Sequence, residues 1–188
     1  MIESWKNLIS NSESYYIGEN KEPIVVNSKK DFIYIDIWTD GSVNIKNDNK
    51  CAWAFVVQMN GEYIYEESDL LYQDHRTGNI AEMSGIINSL KWLKSIVKTM
   101  DFDPSKMIVN VYSDSQYCVK GINEWIHNWR LKSYRGKKNV EYWEEFYPLR
   151  YYHKYAELNI NWVKGHSGVE GNEKADKLCE ALTKKKKK

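Results

Sequence analysis

The sequence predicts an α/β fold: a five-stranded mixed β-sheet with helices packed on it. Three observations carry the prediction. Two strand-like runs, CAWAFVVQM (51–59) and EYIYEESDL (62–70), meet at Asn60-Gly61, a strong hairpin signal. Ile80, Met83, Ile87, Leu90, Leu93 and Val97 recur at helical spacing within residues 79–100. Beyond Pro104, strand-like and helical segments alternate as far as residue 183.

Taken in order, residues 1–30 carry four acidic and four basic side chains, several Asn and Ser, and no sustained period. They are expected to form an extension with at most a short helix or strand. FIYIDIWT (32–39) is the first strand of the domain, and Asp40-Gly41-Ser42 reads as the turn that closes it. The hairpin follows, then the long amphipathic helix. KMIVNVYS (106–113) is the fourth strand; a short helix starts near Ser115, with more helix through Trp129. NVEYWEEF begins another helix, which Pro148 is expected to end or kink. LNINWV (158–163) is the fifth strand, and residues 171–183 close the domain as a helix with Ala175, Leu178, Cys179 and Leu182 on one stripe. Lys184 to Lys188 form a lysine tail, an arrangement usually solvated.

The 188 residues suffice for one domain with a proper core, and 42% are apolar, which excludes disorder by composition. The formal net charge is +1, so any affinity for nucleic acid resides in how charge is distributed. No apolar run approaches a membrane span, and the start MIESWKNLIS lacks the basic-then-apolar order of a signal peptide. Cys51, Cys118 and Cys179 lie far apart and form no CxxC pair. They argue against zinc or a disulfide framework and fit an intracellular, reducing compartment. No membrane association is expected, and the chain is expected to act as a monomer.

Four acids occupy unusual places. Asp40 follows an apolar strand, where dehydrating a charge is expensive. Asp114 does the same after MIVNVYS. Glu82 lies in the first turn of the long helix beside core-facing Met83, and Asp176 borders the apolar stripe of the closing helix. Singly, each has an ordinary explanation: a turn, a cap, a helix N-terminus, a solvated face. Together, two strand ends and two helix faces can converge on one spot. Carboxylates packed there raise each other's pKa unless cations separate them. Oxygen-only ligands favour a hard ion, Mg²⁺ or Mn²⁺, and a pair of such ions is a standard device for phosphodiester hydrolysis.

Over residues 31–183 the sequence resembles the type 1 ribonuclease H family. The matching stretches are TDGS (39–42), AEM (81–83), YSDSQY (112–117), GINEWIHNWR (121–130) and NWVKGHSGVEGNEKADKL (161–178). The resemblance implies a five-stranded mixed sheet with helices on both faces, and metal-dependent hydrolysis of the RNA strand of an RNA–DNA hybrid. It implies that Asp40, Glu82, Asp114 and Asp176 bind two Mg²⁺ ions, with Mn²⁺ as a substitute. Asp40 is assigned to both ions, Asp176 to the ion beside the attacking water, and Glu82 and Asp114 to the ion facing the departing 3′ oxygen. The implied products are a 5′-phosphate and a 3′-hydroxyl. His166, in the loop KGHSGVEG, takes an auxiliary catalytic role rather than a place among the ligands. His75, His127 and His153 carry no assigned function.

The resemblance also implies how a hybrid is held. WRLKSYRGKK (129–138) carries five basic residues and no acid, and corresponds to a basic protrusion lying along the DNA strand. Trp125 and Trp129 are assigned to deoxyribose; by spacing alone, two Trp four apart on a helix read as core. Lys132, Arg135, Lys137 and Lys138 are assigned to sequence-independent phosphate attraction. Thr77 and Asn128 match a pocket for a DNA phosphate. Gln116 and Asn79 match contacts in the minor groove, where a hybrid displays its 2′-hydroxyls. Some positions depart from the family. VNIKNDNK replaces a Gly- and Pro-rich loop, leaving an RNA-contacting asparagine open between Asn44 and Asn47, and Gly78 stands where many relatives have asparagine.

Two other readings are available. One is a ribonuclease H region of a reverse-transcriptase polyprotein, against which the initial Met and the N-terminal segment argue. The other is a non-catalytic hybrid-binding module, which predicts the loss of one or more of the four carboxylates; all four are present.

Overall fold

The computed structural model describes residues 32–46, 50–72, 77–100, 102–152 and 154–184, together with two short strands, β1 (Ser14–Tyr15) and β2 (Ile24–Val25), which pair antiparallel. Asn47, His75, His153 and Lys185 to Lys188 lie outside the described residues.

The main sheet contains β3 (Ile33–Asn44), β4 (Lys50–Met59), β5 (Glu62–Leu71), β6 (Met107–Ser113) and β7 (Glu157–Trp162) in the order β5-β4-β3-β6-β7. β3, β4 and β5 form the antiparallel meander, while β6 and β7 add in parallel to β3. The Asn60-Gly61 turn carries positive φ at both residues (50° and 88°), the geometry expected from the sequence. α1 (Gly78–Met100) leads through a short 3₁₀ turn at Pro104–Lys106 into β6. α2 (Gln116–Lys120), a π-type turn (Gly121–Trp125) and α3 (Ile126–Leu131) form one nearly continuous segment. α4 (Val140–Tyr152) precedes β7, and α5 (Glu170–Thr183) ends the fold.

Helices cover both faces of the sheet, and β4 records it. Its residues from Cys51 to Val57 are all buried, the pattern of a strand covered on both sides. α1 supplies Met83, Ile86, Ile87, Leu90 and Leu93 to one face, against Ile33, Ile35, Ile37, Val109 and Val111. Each such side chain contributes roughly 1.5–3 kcal/mol by leaving water. α5 packs on the other face, where Cys179 Sγ donates to the backbone oxygens of Asp40 and Ala52.

One boundary differs from the sequence reading, and another decides between two outcomes expected from it. The first strand does not stop before Asp40. β3 runs on to Asn44, because its partner β4 continues opposite it through Asn44–Lys50, whereas the pairing with β6 ends at Trp38–Tyr112. Asp-Gly therefore marks the place where β3 parts from β6, not a turn. Of the two outcomes expected at Pro148, an end to the helix does not occur: α4 continues to Tyr152. The carbonyl that Pro148 cannot serve belongs to Glu144, an exposed residue on the solvent side of the helix, where losing that bond costs least.

Candidate active site

Thr39 secures the fork between β3 and β6: it is buried, and its Oγ1 donates to the Tyr112 carbonyl at 3.3 Å. The next residue, Asp40, is 6% exposed and projects where the two strands separate. Gly41 follows, and a methyl group there would collide with the backbone of Ala81 and Glu82. Only glycine lets α1 come so close, and this approach delivers the Glu82 carboxylate to Asp40. Asp114 lies one residue beyond β6. Its carbonyl accepts from Trp162 Nε1 at 3.0 Å, and Gly165 leaves room for its carboxylate, which a Cβ at 165 would strike.

Asp40, Glu82 and Asp114 each offer an oxygen, and these atoms lie within 4.8 Å of one another. Asp176 borders this trio rather than joining it. Its charge raises the pKa of Asp40 and Asp114, but its closest grouping is with His166 and Glu173, again within 4.8 Å. His166 Nδ1 is 3.6 Å from Asp176 Oδ2, and the histidine holds a left-handed backbone (φ 50°), rare for a residue with a side chain. Glu173 Oε1 accepts the Gly168 amide at 3.3 Å and so ties the histidine loop to α5.

All four carboxyls are pushed upward. Burial and then the charges of Asp114 and Asp176 raise Asp40 to about 6. Burial, then Asp40 and Asp114, put Glu82 well above the ordinary range. Asp114 and Asp176 rise chiefly by burial. Opposing them are the Cys179 thiol and the Gly41 amide at Asp40, the Ser113 hydroxyl and the Gly41 amide at Glu82, His166 and its own backbone amide at Asp114, and His166 and Lys184 at Asp176. A site of acidic oxygens that resists ionisation for lack of positive charge fits a hard divalent cation.

The remaining residues singled out in the sequence fall as follows. Thr77 caps α1, its Oγ1 accepting from Ile80 N at 3.3 Å. Asn79 and Gln116 are exposed on the first turns of α1 and α2, within three residues of Glu82 and Asp114 respectively. Asn128 is exposed on α3, and among the described residues no hydrogen bond joins it to Thr77. The Trp125 and Trp129 rings lie 5.4 Å apart; Trp129 also meets buried Trp143 edge-on, so it is partly core and partly surface. Lys132, Arg135, Lys137 and Lys138 are exposed, with Lys137 Nζ 4.9 Å above the Trp129 ring. Asn44 is engaged elsewhere: its amide donates to the Thr183 carbonyl and accepts from Lys46 N. The sequence reading missed Glu173, although it lies three residues before Asp176 on one helix, a spacing that places both on the same face.

A family model described as RNase H matches residues 34–184. The ribonuclease H of Campylobacter jejuni strain 81-176 is 32% identical over 146 residues, covering 78% of this chain and 88% of its own length. LC11-RNase H1, crystallised with an RNA/DNA hybrid, superposes with a TM-score of 0.59 at 22% identity, covering 79% of this chain and 96% of that one. Prototype foamy virus protease-reverse transcriptase reaches a TM-score of 0.66 at 22% identity over 88% of this chain but 24% of its own, a likeness of fold. Among the described residues no helix is long and apolar enough to cross a membrane.

Proposed function

Because the chain belongs to the RNase H family and is a nuclease of that kind, we propose that it hydrolyses the RNA strand of RNA–DNA hybrids using two divalent cations held by Asp40, Glu82, Asp114 and Asp176. The observation that carries the reading is the convergence of Asp40, Glu82 and Asp114 within 4.8 Å, with Asp176 at its border. When bound, Mg²⁺ or Mn²⁺ supplies Lewis-acid polarisation of the phosphate and neutralises charge on the departing oxygen.

The chain's own residues hold and orient. Asp40 is central because its charge acts on Glu82 and its own carboxyl responds to Asp114 and Asp176. Gly41 and Gly165 admit the backbone of α1 and the Asp114 carboxylate without hindrance. His166 turns Nδ1 towards Asp176, leaving Nε2 to take a proton from the attacking water. Attack at phosphorus breaks the bond to the 3′ oxygen and leaves a 5′-phosphate and a 3′-hydroxyl. Asn79 and Gln116 meet the 2′-hydroxyl side of the groove, while Trp125, Trp129 and the exposed bases Lys132, Arg135, Lys137 and Lys138 lie along the DNA strand, with Thr77 and Asn128 contributing to phosphate binding. The spacing of Cys51, Cys118 and Cys179, with no CxxC pair, supports a reducing compartment as the setting.

The test compares end-labelled RNA–DNA, RNA–RNA and DNA–DNA duplexes with Mg²⁺ and with EDTA. Cleavage of RNA in the hybrid alone, abolished by EDTA, is the expected result. Equal cutting of RNA–RNA would defeat the substrate assignment.

A further inference from the structure

We propose that Ser113 is a positioning residue for Glu82, fixing one oxygen of that carboxylate so that the other is presented to a cation; the inference rests on the cation reading above. Ser113 ends β6 on the inward side of an alternating strand, in the row already occupied by Val109 and Val111. The pattern calls for another apolar side chain, and a hydroxyl stands there instead, 0% exposed.

A hydroxyl that buried needs partners for both its oxygen and its proton. Its oxygen accepts the Ser115 amide at 3.1 Å. That bond turns the proton away from Ser115, and the acceptor it meets is Glu82 Oε2 at 3.4 Å, long for an O–H···O bond. The donor therefore faces a carboxylate and favours its charged form. Gly41 sets how near the backbone of α1 approaches β3. Ser113 then sets where the Glu82 head group points once it is there. The two residues divide the placement of Glu82 between backbone and side chain.

Ser113→Ala, Ser113→Thr and Ser115→Ala are compared with the wild-type full chain, using Mn²⁺ titration calorimetry without nucleic acid, thermal melts and hybrid kinetics. Ser115→Ala is the structural control. It removes the hydroxyl that accepts from Cys118 N and caps α2, but leaves the Ser113 hydroxyl in place. Ser113→Ala is expected to weaken Mn²⁺ binding roughly tenfold, the lower end for partners that orient a ligand, with KM for the hybrid unchanged. Ser113→Thr restores the affinity. Ser115→Ala lowers the melting temperature and leaves Mn²⁺ affinity intact. Wild-type affinity in Ser113→Ala, or an equal loss in Ser115→Ala, overturns the inference while the cation reading stands. A wild-type chain that takes up no Mn²⁺ overturns the cation reading and this inference with it.

Discussion

Gly41 lies so close to Glu82 that a methyl group on residue 41 would overlap the Glu82 backbone nitrogen. The contact joins the central strand to the long helix and brings two carboxylates, one from each, to the same point. Gly41→Ala is therefore expected to push α1 away from β3. Overpacking of this kind costs roughly 1–3 kcal/mol, and the displaced Glu82 should lower hybrid cleavage by about a hundredfold or more. Urea denaturation and initial-rate measurements on the same preparation check both; wild-type activity in Gly41→Ala would show that the close approach is not what places Glu82.

The shared upward shift of the four carboxyls sets the dependence of stability on pH. Asp40 holds its proton up to about pH 6 in the folded chain, against 3.8 for the ordinary carboxyl. Its bound proton thus favours folding fully below pH 3.8, and that contribution is lost as pH rises from 3.8 to about 6. For Asp40 the loss is about 3 kcal/mol, and Glu82, Asp114 and Asp176 change in the same direction. In EDTA the melting temperature should fall across this window. Mg²⁺ should raise it above pH 6 and leave it unchanged near pH 4. A Mg²⁺ effect of equal size at both values would place the ion elsewhere.

His166 stands beside Asp176 on a strained backbone, outside the trio of Asp40, Glu82 and Asp114. His166→Ala is expected to slow turnover by about a hundredfold, in the range for a lost proton-transfer group, with Mn²⁺ affinity within about threefold of wild type. Calorimetry and single-turnover kinetics separate the two. A large loss of Mn²⁺ binding would make His166 a ligand instead.

The exposed bases of the segment after α3 should appear in the salt dependence of binding. Replacing Lys132, Arg135, Lys137 and Lys138 with Ala is expected to weaken hybrid affinity at low salt. The slope of log K against log salt should become shallower by about 0.9 for each phosphate that is no longer neutralised. An unchanged slope, measured by fluorescence anisotropy from 50 to 300 mM salt (about the range over which such charges are screened), would remove the segment from the interface.

Much of this is legible in the residues, for identifiable reasons. Asn60-Gly61 admits few turns, so the hairpin follows directly. The apolar spacing from Ile80 to Val97 fixes the helix that carries Glu82, and the alternation in β6 places Asp114 at a strand end. The extent of β3 is not legible, because Asp-Gly ends a strand unless a neighbour continues beside it, and β4 supplies that neighbour from a distance in sequence. Whether Pro148 ends its helix is not legible for a similar reason: its cost depends on whether the stranded carbonyl faces solvent, which only packing decides. The union of the acids is expected from the family resemblance and from the oddity of each position. The parts played by Gly41, Gly165 and Ser113 depend on distances between elements, and local sequence carries no record of those.

The most direct test of the central claim is anomalous diffraction from a crystal of this chain soaked in Mn²⁺. Anomalous peaks are expected among the carboxylates of Asp40, Glu82 and Asp114, and between Asp40 and Asp176, and they should vanish in Asp40→Asn. Well-ordered crystals with those oxygens in place and no peak among them would contradict the claim.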